Sequence, residues 1–533
     1  MNVVCRFRCA RTWCDAVSVV ITPAGLSAAD VVSVARNFAP VRIDEGAQAA
    51  MVRGRAVIES LAASEQPVYG VSTGFGALAD VHIAPEKRSE LQHSIIRSHA
   101  AGSGEPVDVE VVRALMVLRL RTLCTGMTGV RPAVAHMIVN LLNHDITPIV
   151  PRFGSLGCSG DLAPLSHCAL ALIGEGEVCD AQGMRMPTTA ALNAAGLEPV
   201  QLQEKEGLAL INGTDGMLGT LLLALHDLEH VLDAADIVAA MSIEALHGTD
   251  SVFAPELHAA LRPHPGQAVS AEVIRKVLAG SGIVASHADD TTQVQDAYSL
   301  RCAPQVHGAV RDVISFANTV AGRELAATID NPIVLADGTV RSNGNFHGAP
   351  VAYACDFVAI AVADLASICE RRTDRMLDTA RNFGLPAFLA HEPGVDSGLM
   401  IAQYTQAGLV AELKREATPA SVDSIPSSAM QEDHVSMGWA AAQRLRASVD
   451  ALTQVVGIEL MTAARALDLR APVSPSPATA AVVNKVRESV PGVGPDRFLS
   501  PEITACAEIV RSGVLRHCVE SATGPLPRTM AII

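Results

Sequence analysis

Residues Gly154 to Gly176 read Gly-Ser-Leu-Gly-Cys-Ser-Gly-Asp-Leu-Ala-Pro-Leu-Ser-His-Cys-Ala-Leu-Ala-Leu-Ile-Gly-Glu-Gly, with three glycines around one cysteine and one serine ahead of an apolar run. Glycine adopts backbone conformations that other residues avoid, so this segment could turn tightly enough to react with itself. The amide nitrogen of Gly160 could attack the carbonyl carbon of Cys158. Loss of water from that ring and from Ser159 would leave an exocyclic methylene. None of the twenty side chains is a strong electrophile, so the triplet indicates a possible source of electrophilic chemistry.

The same residues have two other interpretations. A Ser-Gly turn ahead of a helix, with Pro164 in the first turn, would need no chemistry at all. A serine-hydrolase elbow needs glycines two residues before and after the serine. Gly157 fits that pattern, but Asp161 stands where the second glycine belongs, so we discard the hydrolase interpretation.

Composition limits the class of protein. The 533 residues suffice for one large core or about three domains of roughly 150 residues each. Hydrophobic residues make up 49% and aromatic residues 3%, which favours an aliphatic, Ala-rich core of closely packed helices with extra apolar surface between subunits. A net charge of −16 argues against a nucleic-acid partner, because phosphate contacts need a basic face. The 12 cysteines are scattered and form no C-x-x-C pair, so we expect reduced thiols and a cytoplasmic protein.

Two apolar stretches approach the length of a membrane span. Ala349–Ile368 carries Asp356 and Asp364, and Leu208–Leu225 carries two polar side chains of its own. We therefore expect buried helices of an oligomer and no membrane partner. Residues 1–17 hold three arginines without a sustained apolar stretch after them, so a secretory signal is not expected.

Local patterns predict mostly helix with few strands. Ser27 and Asp30 indicate a capping box that opens a helix. A long apolar region from Leu208 to Leu246 is interrupted at Asn212-Gly213, and Val435–Ala466 is a further long helix. The segment 333–341 is typical of a β-hairpin with a type I′ turn at Asp337-Gly338. The excess of predicted helices over predicted strands favours an all-α bundle.

The central segment resembles the signature Gly-Ser-x-Gly-(Ala/Cys)-Ser-Gly-Asp-Leu-Ala-Pro-Leu of the aromatic amino acid ammonia-lyases, and the resemblance extends from about Ser18 to Ser512. In that family the triplet cyclises into a methylidene-imidazolone group, MIO. Here Cys158-Ser159-Gly160 would form it, with Cys158 in place of the more usual alanine. The resemblance implies a mainly α, long-helix bundle of the ammonia-lyase/fumarase-like type, with a small mixed N-terminal region and few short strands.

The resemblance also implies a homotetramer whose active sites are each assembled from several subunits. It predicts an unmatched extension at 1–17 and a MIO-bearing domain at 18–210. A central helical bundle at 211–470 and a C-terminal helical segment at 471–533 would follow.

Several site residues are implied by matching segments. Tyr69 lies in Tyr-Gly-x-x-Thr-Gly-Phe-Gly and corresponds to the family's candidate base for the β-proton, although a phenol of pKa ~10 would need strong perturbation. Asn212 would hydrogen-bond MIO or the substrate's polar head, and a buried amide there needs partners. Asn331 would help hold the polar head, and Phe346 would pack against MIO. A packed ring, turn asparagines and a core phenylalanine are the structural alternatives.

Gln295, Tyr298 and Arg301 are spaced three residues apart, so on a helical turn they would share one face. Arg301 is the natural bidentate partner of a substrate carboxylate, or alternatively part of a surface salt bridge. By resemblance, Tyr298 would assist MIO or proton transfer, and Gln295 would contribute to substrate binding.

Substrate choice depends on two segments that resemble the histidine-specific branch of the family. The first is Ser-His-Ala-Ala-Gly with His99, and the second is Met-Gln-Glu-Asp-His with Gln431 and Glu432. A carboxylate at Glu432 can accept a proton from an imidazole N–H, and facing a phenyl ring it would be a costly unpaired charge. His99 would hold the other edge of the ring. The alternative for Glu432 is an acid near a helix N-terminus.

Together these features imply a carbon–nitrogen lyase that converts L-histidine to trans-urocanate and ammonia, with no metal and no diffusible cofactor. His226-Asp-Leu-Glu229-His230 matches a zinc-peptidase pattern, but we interpret it as a solvated helix stripe. A tyrosine or phenylalanine lyase, an aminomutase, and a non-catalytic helical oligomer remain the alternatives.

Overall fold

The computed structural model describes residues 18–64, 70–74, 81–289 and 294–528. Helices carry most of this chain, and the strands are short, so the mainly α fold class is confirmed. The helices are α1 Ala28–Arg36, α2 Glu45–Ala62, α3 Arg88–His99, α4 Val109–Cys124, α5 Pro132–Asn143, α6 Leu162–Leu172, α7 Thr188–Ala195, α8 Glu206–Ile211, α9 Asp215–Ala245, α10 Pro265–Leu278, α11 Gly282–Ala285, α12 Tyr298–Arg301, α13 Ala303–Ala326, α14 Ala349–Leu377, α15 Met400–Glu416, α16 Gly438–Asp468, α17 Pro477–Arg487, α18 Ser500–Arg511 and α19 Val514–Thr523. The strands are β1 Val19–Ile21, β2 Val41–Ile43, β3 Ser103–Pro106, β4 Thr147–Pro148, β5 Pro151–Phe153, β6 Glu177–Cys179, β7 Arg185–Pro187, β8 Ile333–Val334 and β9 Val340–Arg341.

A bundle of long helices forms the core. α16 packs against α14, α9, α18 and α15, while α13 packs against α10 and α14. α9 is buried along almost its whole length, because its small and aliphatic side chains let neighbouring helices approach on every side. α14 is long and apolar enough to cross a membrane, but 61% of its most apolar window is buried inside this bundle. Its polar residue Asp356 is buried there too and accepts a hydrogen bond from the backbone N–H of Ser421 at 2.8 Å.

The short strands belong mainly to the N-terminal part of the chain. β1 and β2 pair in parallel, with Val19 opposite Val41. β3 pairs with β5, and β4, β6 and β7 form a three-stranded antiparallel sheet. The predicted capping box is present, since Ser27 and Asp30 exchange side-chain and backbone hydrogen bonds at the start of α1.

The hairpin of β8 and β9 forms as expected, but the prediction that its turn is of type I′ is wrong. That turn needs positive φ at both central residues. Gly338 has φ +78°, whereas Asp337 is not among the residues with positive φ. The Asp337 carboxylate accepts hydrogen bonds from the Thr339 backbone at 2.9 Å and from its hydroxyl at 2.7 Å. The Gly338 N–H donates to the Leu335 carbonyl, so Ala336 and Asp337 are the central residues of the turn and the left-handed Gly338 is its last residue.

Two other boundaries bear on the site. The predicted interruption at Asn212-Gly213 is confirmed, because α8 ends just before it and α9 begins two residues after it. The predicted helical face shared with Gln295 is wrong: α12 begins only at Tyr298, and Gln295 lies in a bend outside it. Residues 1–17 lie outside the described chain. The division into 18–210, 211–470 and 471–533 stays a prediction.

Candidate active site

The loop before α6 is packed directly against the interruption between α8 and α9. Gly160 has φ +77°, and the backbone N–H of Asp161 donates to the Gly213 carbonyl at 2.7 Å. A Cβ on Gly160 would lie 2.0 Å from that same carbonyl oxygen. Only glycine combines this conformation with so close an approach of two backbones.

The segment that leads into α16 holds the other side of the loop. The hydroxyl of Ser436 donates to the Gly157 carbonyl at 2.8 Å, and the N–H of Met437 donates to the Leu156 carbonyl at 2.9 Å. The indole N–H of Trp439 donates to the Arg152 carbonyl at 2.6 Å. The loop therefore lies between two helix entries and has little freedom to move away from either.

Asp161 was not identified from the sequence as a functional residue. It is fully buried, and its carboxyl group accepts hydrogen bonds from the Ser155 hydroxyl at 3.0 Å and from the Met217 N–H at 2.9 Å. Burial raises its pKa to about 7, and these two hydrogen bonds oppose the rise. An acidic residue just before an apolar helix was the available signal, and it is common at helix starts.

Glu432 receives hydrogen bonds from two members of the central triplet. The thiol of Cys158 donates to Oε2 at 3.1 Å, and the hydroxyl of Ser159 donates to Oε1 at 3.1 Å. Ser427 donates to Oε2 at 3.0 Å. Burial raises the pKa of Glu432, but the hydrogen bonds from Cys158, Ser427, Ser428 and Ser159 outweigh it and lower the pKa overall. Glu432 is therefore a carboxylate directed at the triplet.

Cys158 stays protonated in this environment. Burial, followed by the hydrogen bond to Glu432 and its charge, raises the pKa of the thiol to about 12. The group is therefore a hydrogen-bond donor at neutral pH and not a thiolate nucleophile.

His99 lies at the C-terminal end of α3, within electrostatic range of Glu432. Its Nδ1 atom is 2.9 Å from the Ile95 carbonyl oxygen. Since a carbonyl only accepts, Nδ1 carries the proton and Nε2 carries a lone pair. Burial lowers the pKa of His99, although the Ile95 carbonyl and the Glu432 charge oppose this. The ring is therefore neutral and presents an acceptor.

Asn212 and Asn331 are joined behind the loop. Nδ2 of Asn212 donates to the Asn331 carbonyl at 3.0 Å, and Oδ1 of Asn331 accepts from Ser342 and from the Asn343 N–H. Oδ1 of Asn212 is buried with no hydrogen-bond partner among the described residues. Such an acceptor needs a donor, and a bound molecule that carries an N–H group would supply one.

Four buried charges that the sequence analysis did not identify support this asparagine pair. Nη1 of Arg119 donates to the Asn212 carbonyl at 2.9 Å, and Nη2 lies 3.4 Å from the carboxylate of Asp215. Lys205 and Asp330 form a fully buried ion pair, and Asp330 also accepts from the N–H of the following asparagine. Buried charges persist only when paired, so these ion pairs fix the backbone on which the site stands.

The remaining predicted site residues within the described chain make no hydrogen bond or ring contact with this cluster. Tyr298 is 71% exposed, and the guanidinium of Arg301 lies over its ring at 4.7 Å from the ring centre. Gln295 and Gln431 are exposed, and Phe346 is partly buried. Among the hydrogen bonds and ring contacts of the described chain, none joins these side chains to the triplet. Tyr69 lies outside the described residues.

The two histidines of the zinc-peptidase pattern on α9 are not part of a group that could hold a metal ion. The rings of His226 and His230 meet edge to face, with their centres 5.5 Å apart. Within residues 18–64, 70–74, 81–289 and 294–528, no group of three or more His, Cys, Asp or Glu side chains could hold a metal ion.

Comparisons with known proteins agree with this geometry. The aromatic amino acid lyase family model matches residues 26–488. The histidine ammonia-lyase of Streptomyces coelicolor is 61% identical over 510 residues, covering 96% of this chain and 99% of that protein. The solved tyrosine aminomutase of Streptomyces globisporus has a TM-score of 0.90 at 36% identity, covering 96% of this chain and 100% of that one. The solved histidine ammonia-lyase of Trypanosoma cruzi has a TM-score of 0.87 at 36% identity, covering 95% and 96%. The chain belongs to the aromatic amino acid lyase family and has its helical fold.

Proposed function

We propose that this chain eliminates ammonia from L-histidine without oxidation, giving trans-urocanate, as a carbon–nitrogen lyase of histidine degradation. One observation carries the proposal: an ionised Glu432 is hydrogen-bonded to Cys158 and Ser159 of the triplet, and a neutral His99 lies within electrostatic range of Glu432. Curated relatives that match 96% of the chain at about 60% identity are histidine ammonia-lyases.

The triplet is suited to become a methylidene-imidazolone. The nitrogen of Gly160 bonds to the carbonyl carbon of Cys158, and the carbonyl oxygen leaves as water with the amide protons of Ser159 and Gly160. The Ser159 hydroxyl leaves with its Cα proton as a second water. A Gly160 without Cβ at the Gly213 carbonyl supports this fit, because a side chain there would push the triplet away from the backbone that holds it. Once formed, the group supplies the electrophile that side chains lack.

The imidazole of the substrate binds between Glu432 and His99. Glu432 accepts the ring N–H, and the neutral His99 ring lies at the other edge of the imidazole, within electrostatic range of Glu432. A phenyl ring would leave the Glu432 carboxylate desolvated without a donor, which costs about 1–3 kcal/mol. This asymmetry makes the site selective for histidine over phenylalanine.

The other residues take the roles that the resemblance implies. Tyr69 removes the β-proton, Arg301 binds the substrate carboxylate, and Tyr298 assists proton transfer. Asn212 meets the polar head or the modified loop. The remaining contacts to the substrate or to MIO come from Gln295, Asn331, Phe346 and Gln431.

A homotetramer would bring the two groups of residues together. In one chain, Tyr298 and Arg301 contact each other and make no hydrogen bond or ring contact with the triplet, and Tyr298 is largely exposed. The long helices also carry exposed aromatic side chains in mutual contact: the Phe357 ring lies 5.9 Å from that of Phe316 and 6.3 Å from that of Tyr353. Clustered exposed aromatics are typical of subunit interfaces.

Incubation of the purified protein with L-histidine, L-tyrosine and L-phenylalanine tests the proposal. Ultraviolet absorbance of the conjugated product should rise with histidine, and intact mass should be two waters below that of the encoded chain. Activity on tyrosine or phenylalanine alone would contradict the substrate assignment. An unmodified mass in folded, inactive protein would favour a non-catalytic oligomer.

A further inference from the structure

The two oxygens of Glu432 have different partners. Oε2 accepts from the Cys158 thiol at 3.1 Å and from the Ser427 hydroxyl at 3.0 Å. Oε1 accepts from the Ser159 hydroxyl at 3.1 Å. We propose that Cys158 is a positioning residue whose thiol fixes Oε2, so that Oε1 is the oxygen that receives the imidazole N–H of the substrate. This inference rests on the proposed function.

Of these three hydrogen bonds to Glu432, ring closure removes the donor of only one. The second water lost from the triplet takes the Ser159 hydroxyl oxygen with it, so the donor to Oε1 disappears. The Cys158 side chain takes no part in ring closure and keeps its thiol. The chain thus occupies Oε1 before the site is complete and vacates it when the electrophile is present, while Oε2 keeps both of its donors.

Ser427 cannot replace Cys158 as the anchor. Ser427 and Glu432 pair through their own backbones, with the Ser427 N–H donating at 2.8 Å and the Glu432 N–H at 3.3 Å. Ser427 therefore moves together with Glu432 on one loop, and so does Ser428, whose side chain also donates to Glu432. Within the described chain, the Cys158 thiol is the side-chain hydrogen bond from the triplet to Glu432 that survives loss of the Ser159 hydroxyl.

The protonation states support a directed contact. The Cys158 thiol has its pKa raised to about 12 and remains a donor, while the pKa of Glu432 is lowered, so it remains an acceptor. Alanine, the more usual residue here in the family, has no donor to give. Cys158 is therefore a feature through which this chain sets the direction of its imidazole-binding carboxylate.

Binding in a background that cannot cyclise tests the inference without turnover. Ser159→Ala removes the hydroxyl and exposes Oε1. Calorimetric titration with L-histidine should show binding about three- to ten-fold weaker in Ser159→Ala/Cys158→Ala than in Ser159→Ala, since a thiol is a weak donor to a charged acceptor. Ser159→Ala/Cys158→Ser should restore binding, and the matched control Ser159→Ala/Cys168→Ala removes a buried thiol on α6 and should change nothing.

Equal histidine affinity in Ser159→Ala and in Ser159→Ala/Cys158→Ala would overturn the inference and leave the proposed function standing. Binding of tyrosine or phenylalanine but not histidine by Ser159→Ala would instead overturn the proposed function, and the inference with it. In the otherwise native chain, Cys158→Ala should lose two waters by intact mass. Its KM for histidine should rise about three- to ten-fold with kcat little changed, and Cys158→Ser should restore the KM, because the thiol positions the oxygen that binds the substrate ring. An unchanged KM in Cys158→Ala would count against the inference.

Discussion

Replacing Gly160 with alanine tests whether the close approach of two backbones makes the triplet reactive. The new Cβ would lie 2.0 Å from the Gly213 carbonyl oxygen and 2.3 Å from its carbon. Both neighbours are backbone atoms on an interruption that is itself held by buried ion pairs, so neither can rotate away as a side chain would. Gly160→Ala must therefore separate the loop from Gly213.

The loss of folding stability in Gly160→Ala has two contributions. A left-handed conformation costs alanine about 1–2 kcal/mol relative to glycine. The overlap with Gly213 adds the cost of overpacking, about 1–3 kcal/mol. Gly196 isolates the first part, since it has φ +67° at the end of α7 and an added Cβ would meet nothing within 4 Å. We expect Gly196→Ala to lose only the conformational part and to cyclise normally.

Urea unfolding and intact mass measure the two consequences. Gly160→Ala should have the lower unfolding midpoint of the two variants, and its purified chain should keep both waters. Gly196→Ala should show the mass of the cyclised chain. If Gly160→Ala cyclised fully and unfolded at the same midpoint as Gly196→Ala, the close approach to Gly213 would have no part in forming the electrophile.

Three further results are expected. Glu432→Gln should cyclise by intact mass yet lower kcat/KM for histidine about 10- to 100-fold, because a charge-assisted hydrogen bond becomes a neutral one; an unchanged kcat/KM would refute the role of the carboxylate. Burial lowers the pKa of His99 from 6.5, so the part of the pH dependence of histidine binding to Ser159→Ala that His99→Ala abolishes should lie below pH 6.5, and a His99-dependent loss of binding already above pH 6.5 would contradict this. Co-expression of inactive Ser159→Ala and Arg301→Ala chains should restore roughly a quarter of the activity by random mixing if sites are shared between subunits; no recovery in mixed tetramers would place both residues in one chain's site.

The sequence predicted two features that depend on residues close together in the chain. The Ser27–Asp30 capping box and the interruption at Asn212-Gly213 follow from residues within a few positions of each other, and both are present. The predicted type I′ turn was wrong, although it too depends on neighbouring residues. The Asp337 carboxylate accepts a hydrogen bond from the Thr339 backbone, and this contact outweighs the usual preference of an Asp-Gly pair.

Contacts between distant residues could not be predicted in the same way. The hydrogen bond between Cys158 and Glu432 joins residues 274 positions apart, and no local pattern encodes it. The buried pair of Lys205 and Asp330 likewise spans 125 positions. A lysine beside a glutamate in the sequence looks like a solvated charge, and only the packing of the bundle shows that it is fully buried.

The carboxyl groups around the triplet differ in the direction of their pKa shifts, and the direction matches the chemistry on each side of the triplet. Burial raises the pKa of Asp161 to about 7 and also raises the pKa of Asp215 and Glu324, so negative charge is disfavoured behind the loop. At Glu432 the donors of the loop and of Ser427 outweigh burial, and the pKa falls. An electrophile is weakened by nearby negative charge, whereas an imidazole N–H is bound by it. Because burial disfavours negative charge on one side of the triplet and the other side holds a directed carboxylate, a single loop can serve both electron withdrawal and recognition of the ring.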